Sequence, residues 1–163
     1  MTPGSLHVLI TDRTIEIELI GGASWSLPVG PSTLVERELE RAVRPAPAQL
    51  TNALGIVSDH LDDVVRESPM VMDAIDVVIS GPHATALACV ELGHASVPAG
   101  YSLERPDADE VFRTLVGESI PERLHNPGLD PDHVESIIGT CCVVLALMRR
   151  LELTVVTVDA QGD

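Results

Sequence analysis

The N-terminal part of the chain shows the apolar and polar patterns of short β-strands. Leu6–Ile10 is an apolar run, and Thr14–Ile20 (TIEIELI) alternates between large aliphatic residues and glutamates. Such alternation is typical of a strand with one buried and one exposed face. Gly21 and Gly22 then mark a turn before a short segment, Ser24–Leu27. These patterns predict an antiparallel meander of three strands.

The next part of the chain predicts two helices. Ser32 or Thr33 is a candidate N-cap, with Glu36 near the spacing of a capping box, and the helix should run to about Val43. A second helix is predicted to begin at Pro47, because proline is favoured in the first helical turn. It carries an apolar stripe at helical spacing. The stripe consists of Leu50, Leu54, Val57, Leu61 and Val64 or Val65.

A buried strand and two helices are predicted to follow. Ala74–Ser80 (AIDVVIS) is mostly apolar and predicts a central strand. The helix after it places Leu87, Val90 and Leu92 at apolar positions. A loop rich in glycine and proline is predicted over residues 93–106, followed by an amphipathic helix over residues 107–116.

The last third of the chain predicts an irregular segment, a buried helix and a final strand. Pro121–Pro131 (PERLHNPGLDP) has no regular pattern. Asp130 or Asp132 is a candidate cap for a helix that runs to about Leu151 and is apolar on nearly all sides, which indicates deep burial. Leu153–Val158 (LTVVTV) predicts a buried strand.

The order of these elements, βββ-α-α-β-α-α-α-β, predicts an α/β fold in one domain covering residues 1–163. Three antiparallel strands followed by two helix-connected strands describe a mixed five-stranded sheet with helices on its faces. Right-handed crossovers make the later strands parallel neighbours. This layout is ribonuclease-H-like, the unit that forms half of an actin-like ATPase core.

Composition narrows the possible partners and the compartment. The 163-residue chain has 25 acidic residues and ten basic ones, all arginine, for a net charge of −15. This charge repels nucleic acid and anionic membranes, so we expect neither as a partner. The longest apolar run, Ile137–Met148, is shorter than the roughly 20 residues that span a bilayer. The N-terminus lacks the basic region of a secretory signal.

The three cysteines do not have the spacing of a disulfide framework or a zinc site. Cys89, Cys141 and Cys142 lie in apolar helical stretches, where a buried thiol behaves as a small hydrophobe. Together with the absence of a signal sequence, these features predict a reduced, cytoplasmic protein.

Three segments, taken in order, resemble a known family. They are SLPVGPSTLVERELE (Ser26–Glu40), GPHATALA (Gly81–Ala88) and the closing segment Asn126–Asp163. Their order is similar to that of the second half of the catalytic core of the exopolyphosphatase / guanosine pentaphosphate phosphohydrolase (Ppx/GppA) family. The resemblance covers nearly the whole chain. It implies the ribonuclease-H-like fold, loops that hold phosphate, and phosphoanhydride hydrolysis.

Several departures from the family pattern predict that catalysis is lost. The loop over residues 11–15 contains no glycine, although the family wraps phosphate with backbone N–H groups there. Pro82 removes one N–H donor, and His83 stands where the family has threonine. Thr33 and His133 stand where the family has arginine, and the tail VDAQGD lacks the family's arginine and final helix. The family's first half, with its own phosphate loop and acidic residue, has no counterpart in the sequence.

Two candidate sites follow from the resemblance. Asp12, after the first strand, is the candidate catalytic residue, because it could orient a metal-bound water; its other interpretation is a turn residue beside Arg13. The candidate phosphate-binding residues are Gly81, His83, Ala84 and Thr85, at a helix N-terminus where the helix dipole favours an anion. The alternative is a structural turn, with Pro82 in the first helical position.

No metal site is predicted, because the histidines and aspartates do not have a compact ligand spacing. The sets considered are His60, Asp62 and Asp63, and His125, Asp130 and His133. No cofactor is expected, apart from magnesium if phosphohydrolase activity remains.

The sequence leaves three hypotheses about function. The first is an exopolyphosphatase-like domain without independent catalysis, which acts as a binding, assembly or regulatory module and forms a homodimer or binds a protein partner. The second is a phosphohydrolase acting on polyphosphate or guanosine pentaphosphate, possibly with a separately encoded first half. The third is a sensor that binds a small phosphorylated ligand without chemistry.

Overall fold

The computed structural model describes residues 4–160. Residues 1–3 and 161–163 lie outside the described residues. The predicted domain, 1–163, includes them, and the second of these segments is the last part of the tail VDAQGD. The described part contains strands β1 (Leu6–Ile10), β2 (Ile15–Leu19), β3 (Ser24–Leu27), β4 (Val77–Ser80), β5 (Tyr101–Glu104) and β6 (Val155–Asp159). Its α-helices are α1 (Pro31–Glu36), α2 (Pro47–Glu67), α3 (Pro82–Leu92), α4 (Arg105–Val116), α5 (Ile120–Arg123) and α6 (Ile137–Arg150).

The six strands form one mixed sheet in the order β3-β2-β1-β4-β6-β5. Strands β1, β2 and β3 form the predicted antiparallel meander. Strands β1, β4 and β6 are parallel neighbours, and β5 pairs antiparallel with β6. The parallel strands therefore end at the same edge of the sheet, and this edge positions the candidate site.

The helices pack around α6 on one face of the sheet. Helix α6 contacts α1, α2, α3 and α4, and its residues from Ile137 to Met148 are all buried. The steps from β1 to β4 and from β4 to β6 advance in the same direction across the sheet, so right-handed crossovers place both sets of helices on the same side. The inward side chains of β1, such as Leu6, Val8 and Ile10, are fully buried under them.

The opposite face of the sheet, which we call the open face, carries only half-buried or exposed side chains. The register places these side chains on one side of the sheet. They are His7, Leu9, Glu16, Glu18, Ser24, Ser26, Val78, Ser80, Ser102, Glu104, Val155, Thr157 and Asp159.

The prediction of five strands is wrong by one, because β5 lies inside the segment expected to be a loop. Strand β5 buries only Leu103 among its four residues. Its stability comes from the ladder with β6, in which Leu103 pairs with Val156. A short edge strand of this kind has no local alternation long enough to be recognised from the sequence.

The start and end predicted for the first helix are also wrong. Helix α1 begins at Pro31, with Gly30 as its N-cap, and ends at Glu36 rather than near Val43. Thr33 lies inside the helix, where its hydroxyl accepts a hydrogen bond from the Gly30 N–H at 2.8 Å. The Thr33 hydroxyl thus serves the N–H of the N-cap residue from inside the first turn of the helix. A threonine can take either role near a helix start, so the sequence alone did not distinguish it from an N-cap.

The last helix begins later than predicted. Asp130 caps a 3-10 turn over Pro131–His133, accepting from the Asp132 N–H at 2.8 Å, whereas α6 starts at Ile137. Other boundaries differ by a few residues. Strand β4 starts at Val77, α4 starts at Arg105, and the short α5 lies within the segment predicted to be irregular.

Candidate functional site

Asp12 lies in a tight turn directly after β1, at the edge where the parallel strands end. The Thr11 N–H donates to the Thr14 carbonyl at 3.0 Å, and the Thr14 N–H donates to the Thr11 hydroxyl at 3.0 Å. The Asp12 carbonyl accepts from the Ser32 N–H at 2.9 Å, which ties this turn to the start of α1. The backbone of Asp12 is thus held from two sides, while its side chain is 76% exposed.

Gly81 connects β4 to α3 in a conformation that the surrounding backbone requires. Its φ is +103°, which side-chain-bearing residues rarely adopt. A Cβ at this position would lie 2.6 Å from the carbonyl oxygen of Ile10, at the end of β1. The close approach of two neighbouring strand ends therefore explains this glycine without any phosphate.

His83 fills the space between the two loops. Its side chain is 4% exposed, and its Nε2 lies 2.5 Å from Asp12 Oδ1, although the two residues are 71 positions apart in the chain. Its Nδ1 lies 3.4 Å from the hydroxyl of the buried Thr140, which is also 3.3 Å from the Ser136 carbonyl. The structure thus brings together the predicted catalytic residue and one predicted phosphate-binding residue.

The other predicted loop residues belong to the first turn of α3. Pro82 has no N–H, and the Thr85 N–H donates to the Gly81 carbonyl at 3.0 Å as the helix begins. Ala84 is fully buried. The helix itself supplies no partner for the N–H groups of His83 and Ala84, since these lie in its first turn. The start of α3 thus lacks a donor at Pro82 and keeps those of His83 and Ala84.

A cavity of about 250 Å³ opens beside the Asp12–His83 pair. Four carboxylates line it, from Asp12, Glu36, Asp132 and Glu135. Glu36 is held by Arg13, whose two guanidinium nitrogens each lie 3.1 Å from one of its oxygens. This hydrogen bonding lowers the pKa of Glu36 and raises that of Arg13.

The charge of this cavity disfavours a polyanion. Arg41 also lines it, 3.8 Å from Glu36, but Arg13 and Arg41 both act on the same carboxylate. The carboxylates of Asp12, Asp132 and Glu135 remain beyond that cluster. A bound phosphate chain would approach these negative charges at short range.

The described residues contain no cluster of three or more protein ligands for a magnesium ion. Magnesium requires octahedral oxygen coordination, usually with one or two well-placed carboxylates. Across residues 4–160, no three His, Cys, Asp or Glu side chains are grouped so that they could hold a metal ion.

None of the helices in the described part of the chain has the length and apolar character of a membrane-spanning segment.

His133 lies against His83. Its ring meets the His83 ring edge-on, with centroids 5.3 Å apart. Its Nδ1 is sheltered from solvent and has no hydrogen-bond partner among the described residues. The residue that stands where the family has arginine thus contacts the candidate loop through its ring.

Sequence reasoning missed the burial of two polar residues, of which Thr140 belongs to the site. Thr140 is fully buried in α6 and reaches His83. Arg123 is 2% exposed and donates to the carbonyls of Val43 and Val134, joining two loops to α5. A single arginine in a segment without periodicity gives no local signal of burial.

The three cysteines are buried, as their apolar surroundings predicted. Burial raises the pKa of the Cys141 thiol, and it raises that of Cys142 to about 12. A thiol that stays protonated is a poor nucleophile and a poor metal ligand. Cys141 and Cys142 lie inside α6, and Cys89 lies inside α3.

No protein-family model matches the sequence, and neither does any curated protein. Solved structures do match. An exopolyphosphatase-like protein superposes with a TM-score of 0.84 at 16% identity, over 98% of this chain and 56% of that one. The Ppx/GppA enzyme of Aquifex aeolicus gives a TM-score of 0.82 at 16% identity, over 96% and 53%. An exopolyphosphatase from Cytophaga hutchinsonii gives 0.71 at 16%, over 96% and 53%.

These similarities confirm the fold predicted from the ordered motifs. The chain spans about half the length of each of these solved proteins. At this identity, the similarity concerns the fold alone. The chain therefore has the ribonuclease-H-like fold, with a mixed six-stranded sheet, that makes up about half of Ppx/GppA exopolyphosphatases.

Proposed function

We propose that this chain is an exopolyphosphatase-like domain that lacks independent catalysis and acts as a binding module, in assembly or regulation with another protein or with itself. The observation that carries the proposal is His83. This histidine occupies the candidate phosphate loop, is almost completely buried, and contacts the one candidate catalytic carboxylate at 2.5 Å.

Two features of the candidate site oppose phosphoanhydride hydrolysis. The reaction needs an oriented nucleophile and neutralisation of the phosphate charge, usually by a metal ion. Asp12 Oδ1 lies 2.5 Å from His83 Nε2, so this oxygen is already engaged within the protein. The surrounding cavity also carries the carboxylates of Asp132 and Glu135, whose negative charge a bound phosphate would approach.

A phosphate-release assay tests the absence of catalysis. We expect the purified chain to release no phosphate from polyphosphate or guanosine pentaphosphate in the presence of magnesium. Phosphate release that Asp12→Ala abolishes and Glu135→Ala preserves would contradict the proposal. Glu135 is the matched control, because it lines the same cavity without contacting His83.

The same samples test whether the loop senses a phosphorylated ligand. A ligand present at 100 times its Kd stabilises a protein by roughly 2.7 kcal/mol. Because the carboxylates of the cavity disfavour a polyanion, we expect no such shift in thermal unfolding when guanosine pentaphosphate is added. A clear stabilisation that His83→Ala removes would support a sensor instead of the proposed module.

One observation favours phosphohydrolysis as the second candidate function. The Asp12 side chain is 76% exposed and faces an open cavity at the carboxyl end of a parallel strand, where α/β proteins bind ligands. A separately encoded domain could then supply the remaining phosphate contacts and hold magnesium. Activity that appears only after addition of a candidate companion protein would establish this alternative.

Self-assembly is tested independently of chemistry. If the module pairs with itself, static light scattering at tens of micromolar should give twice the monomer mass. A monomer over this concentration range would exclude self-assembly and leave a different protein as the partner.

A further inference from the structure

The open face of the sheet has the features of a docking surface. Leu9 and Val155 are 40% and 43% exposed, and Val78 is half-buried between them. The opposite face of the same sheet is covered by helices, and domains of this class bury apolar sheet faces in layers. Among the described residues, no element covers this central face of the sheet.

The three apolar side chains form a diagonal line across three neighbouring strands. Register pairs His7 with Val78 and Val78 with Thr157, so each step from Leu9 to Val78 to Val155 moves one strand over and two residues back. Strand spacing and rise make each step about 8 Å and the whole line about 16 Å. This length matches about 11 residues of an α-helix, or three turns.

Carboxylates flank the apolar line on both sides. The six strands contain four acidic residues and no Arg or Lys, and all four acidic side chains belong to the open face. Glu16 and Glu18 lie on the β2 side, while Asp159 and Glu104 lie on the β6 and β5 side. A helix with an apolar stripe and cationic residues on both flanks complements this pattern.

Glu16 provides an independent indication that the face accepts a cation. Its side chain is half-buried, and its Oε2 is sheltered from solvent without a hydrogen bond from any described residue. A buried polar atom without a partner calls for an explanation. An arginine from a bound helix could supply the missing donor after a small rotation of the carboxylate.

We propose that the open face binds a basic amphipathic helix of a partner protein. This proposal rests on the proposed binding function and adds the chemistry of the partner. A second copy of this chain is a poorer occupant. Two open faces would bring Glu16, Glu18, Glu104 and Asp159 against the same four residues. Like charges brought together at an interface oppose association.

The test uses the full chain and a fluorescently labelled synthetic peptide of about 15 residues, long enough for the apolar line. Leucines at helical spacing form its stripe, and arginines flank the stripe. Fluorescence anisotropy measures the Kd. We expect saturable 1:1 binding. Two control peptides, one with the same residues scrambled and one with glutamates in place of the arginines, should bind at least about tenfold more weakly.

Matched variants separate the open face from the general negative charge. Glu16→Gln with Glu18→Gln removes two charges from the open face, whereas Asp59→Asn with Asp107→Asn removes two from exposed positions on α2 and α4. We expect the first pair to weaken binding at least about tenfold and the second less than about threefold. Leu9→Arg should abolish binding while far-UV circular dichroism stays unchanged, because Leu9 is exposed.

Equal effects of the two charge-removing pairs, or equal binding of the scrambled peptide, would overturn the inference in favour of nonspecific attraction. A wild-type dimer that Leu9→Arg converts to a monomer would also overturn it, because the occupant would then be a second copy. Phosphate release by the wild-type chain would refute the absence of catalysis without altering these binding results. The two proposals can therefore fail separately.

Discussion

Replacing Gly81 with alanine tests whether this residue serves the fold rather than a phosphate. Gly81 has φ +103° and ψ 167°. This conformation belongs to a region of backbone space that is nearly restricted to glycine and costs other residues about 1–3 kcal/mol. A Cβ would also lie 2.6 Å from the Ile10 carbonyl oxygen. Overpacking in a buried site costs about a further 1–3 kcal/mol. We therefore expect Gly81→Ala to lower the free energy of unfolding by about 3 kcal/mol or more.

Two other glycines separate these contributions. Gly100 has φ +69° with open space around its Cβ position, so Gly100→Ala should cost only the backbone term, about 1–2 kcal/mol. Gly55 lies within α2 with nothing near its Cβ position. There, alanine should stabilise the protein by about 0.5–1 kcal/mol.

Urea unfolding followed by far-UV circular dichroism measures all three variants. The expected order of stability is Gly55→Ala, wild type, Gly100→Ala and then Gly81→Ala. The reasoning is refuted if Gly81→Ala is as stable as Gly100→Ala, because the contact with Ile10 would then contribute nothing. Confirmation would mean that the glycine of this loop is required by strand packing, so its presence does not indicate phosphate binding.

Four further predictions concern buried side chains and an exposed glutamate in the first turn of α5. Arg123→Met should lower the free energy of unfolding by about 2–4 kcal/mol, because it leaves the Val43 and Val134 carbonyls without their donor. Arg113 is exposed, so Arg113→Met should change the free energy of unfolding by less than about 0.5 kcal/mol in the same urea titration. Cys141 and Cys142 should react with a thiol reagent at pH 8 only after unfolding. Burial raises the pKa of Cys142 from 9.0 to about 12. The buried thiol therefore contributes fully to the free energy of unfolding below pH 9.0, and this contribution is lost as the pH rises toward 12. Cys142→Ala should make the loss of stability at alkaline pH less steep. Hydrogen bonds from the Ser119 backbone and side chain, and from Arg44, lower the pKa of Glu122 from 4.5 to about 2. The ionised carboxylate therefore contributes to the free energy of unfolding above pH 4.5, and this contribution is lost between pH 4.5 and 2. Glu122→Gln should make acid unfolding less steep over that range, and an unchanged acid transition would contradict this.

The strands and helices with long apolar patterns could be predicted from the sequence alone. The alternation in β2 and the nearly continuous apolar surface of α6 reflect burial on one face and on all sides, and burial is recorded in the residues themselves. The order of the motifs also predicted the ribonuclease-H-like fold. These features depend on local periodicity and chain order, which a sequence contains directly.

The site was decided by contacts between distant segments. Asp12 and His83 are 71 positions apart and meet only because β1 and β4 are parallel neighbours that end at the same edge. Strand β5 exists because β6 provides its ladder, and Gly81 is required by the oxygen of Ile10. The sequence by itself determined the elements with long apolar patterns and which residues are candidates. Only the tertiary structure decided that the histidine contacts the aspartate, and that one sheet face stays open, because both depend on how the sheet brings separate elements together.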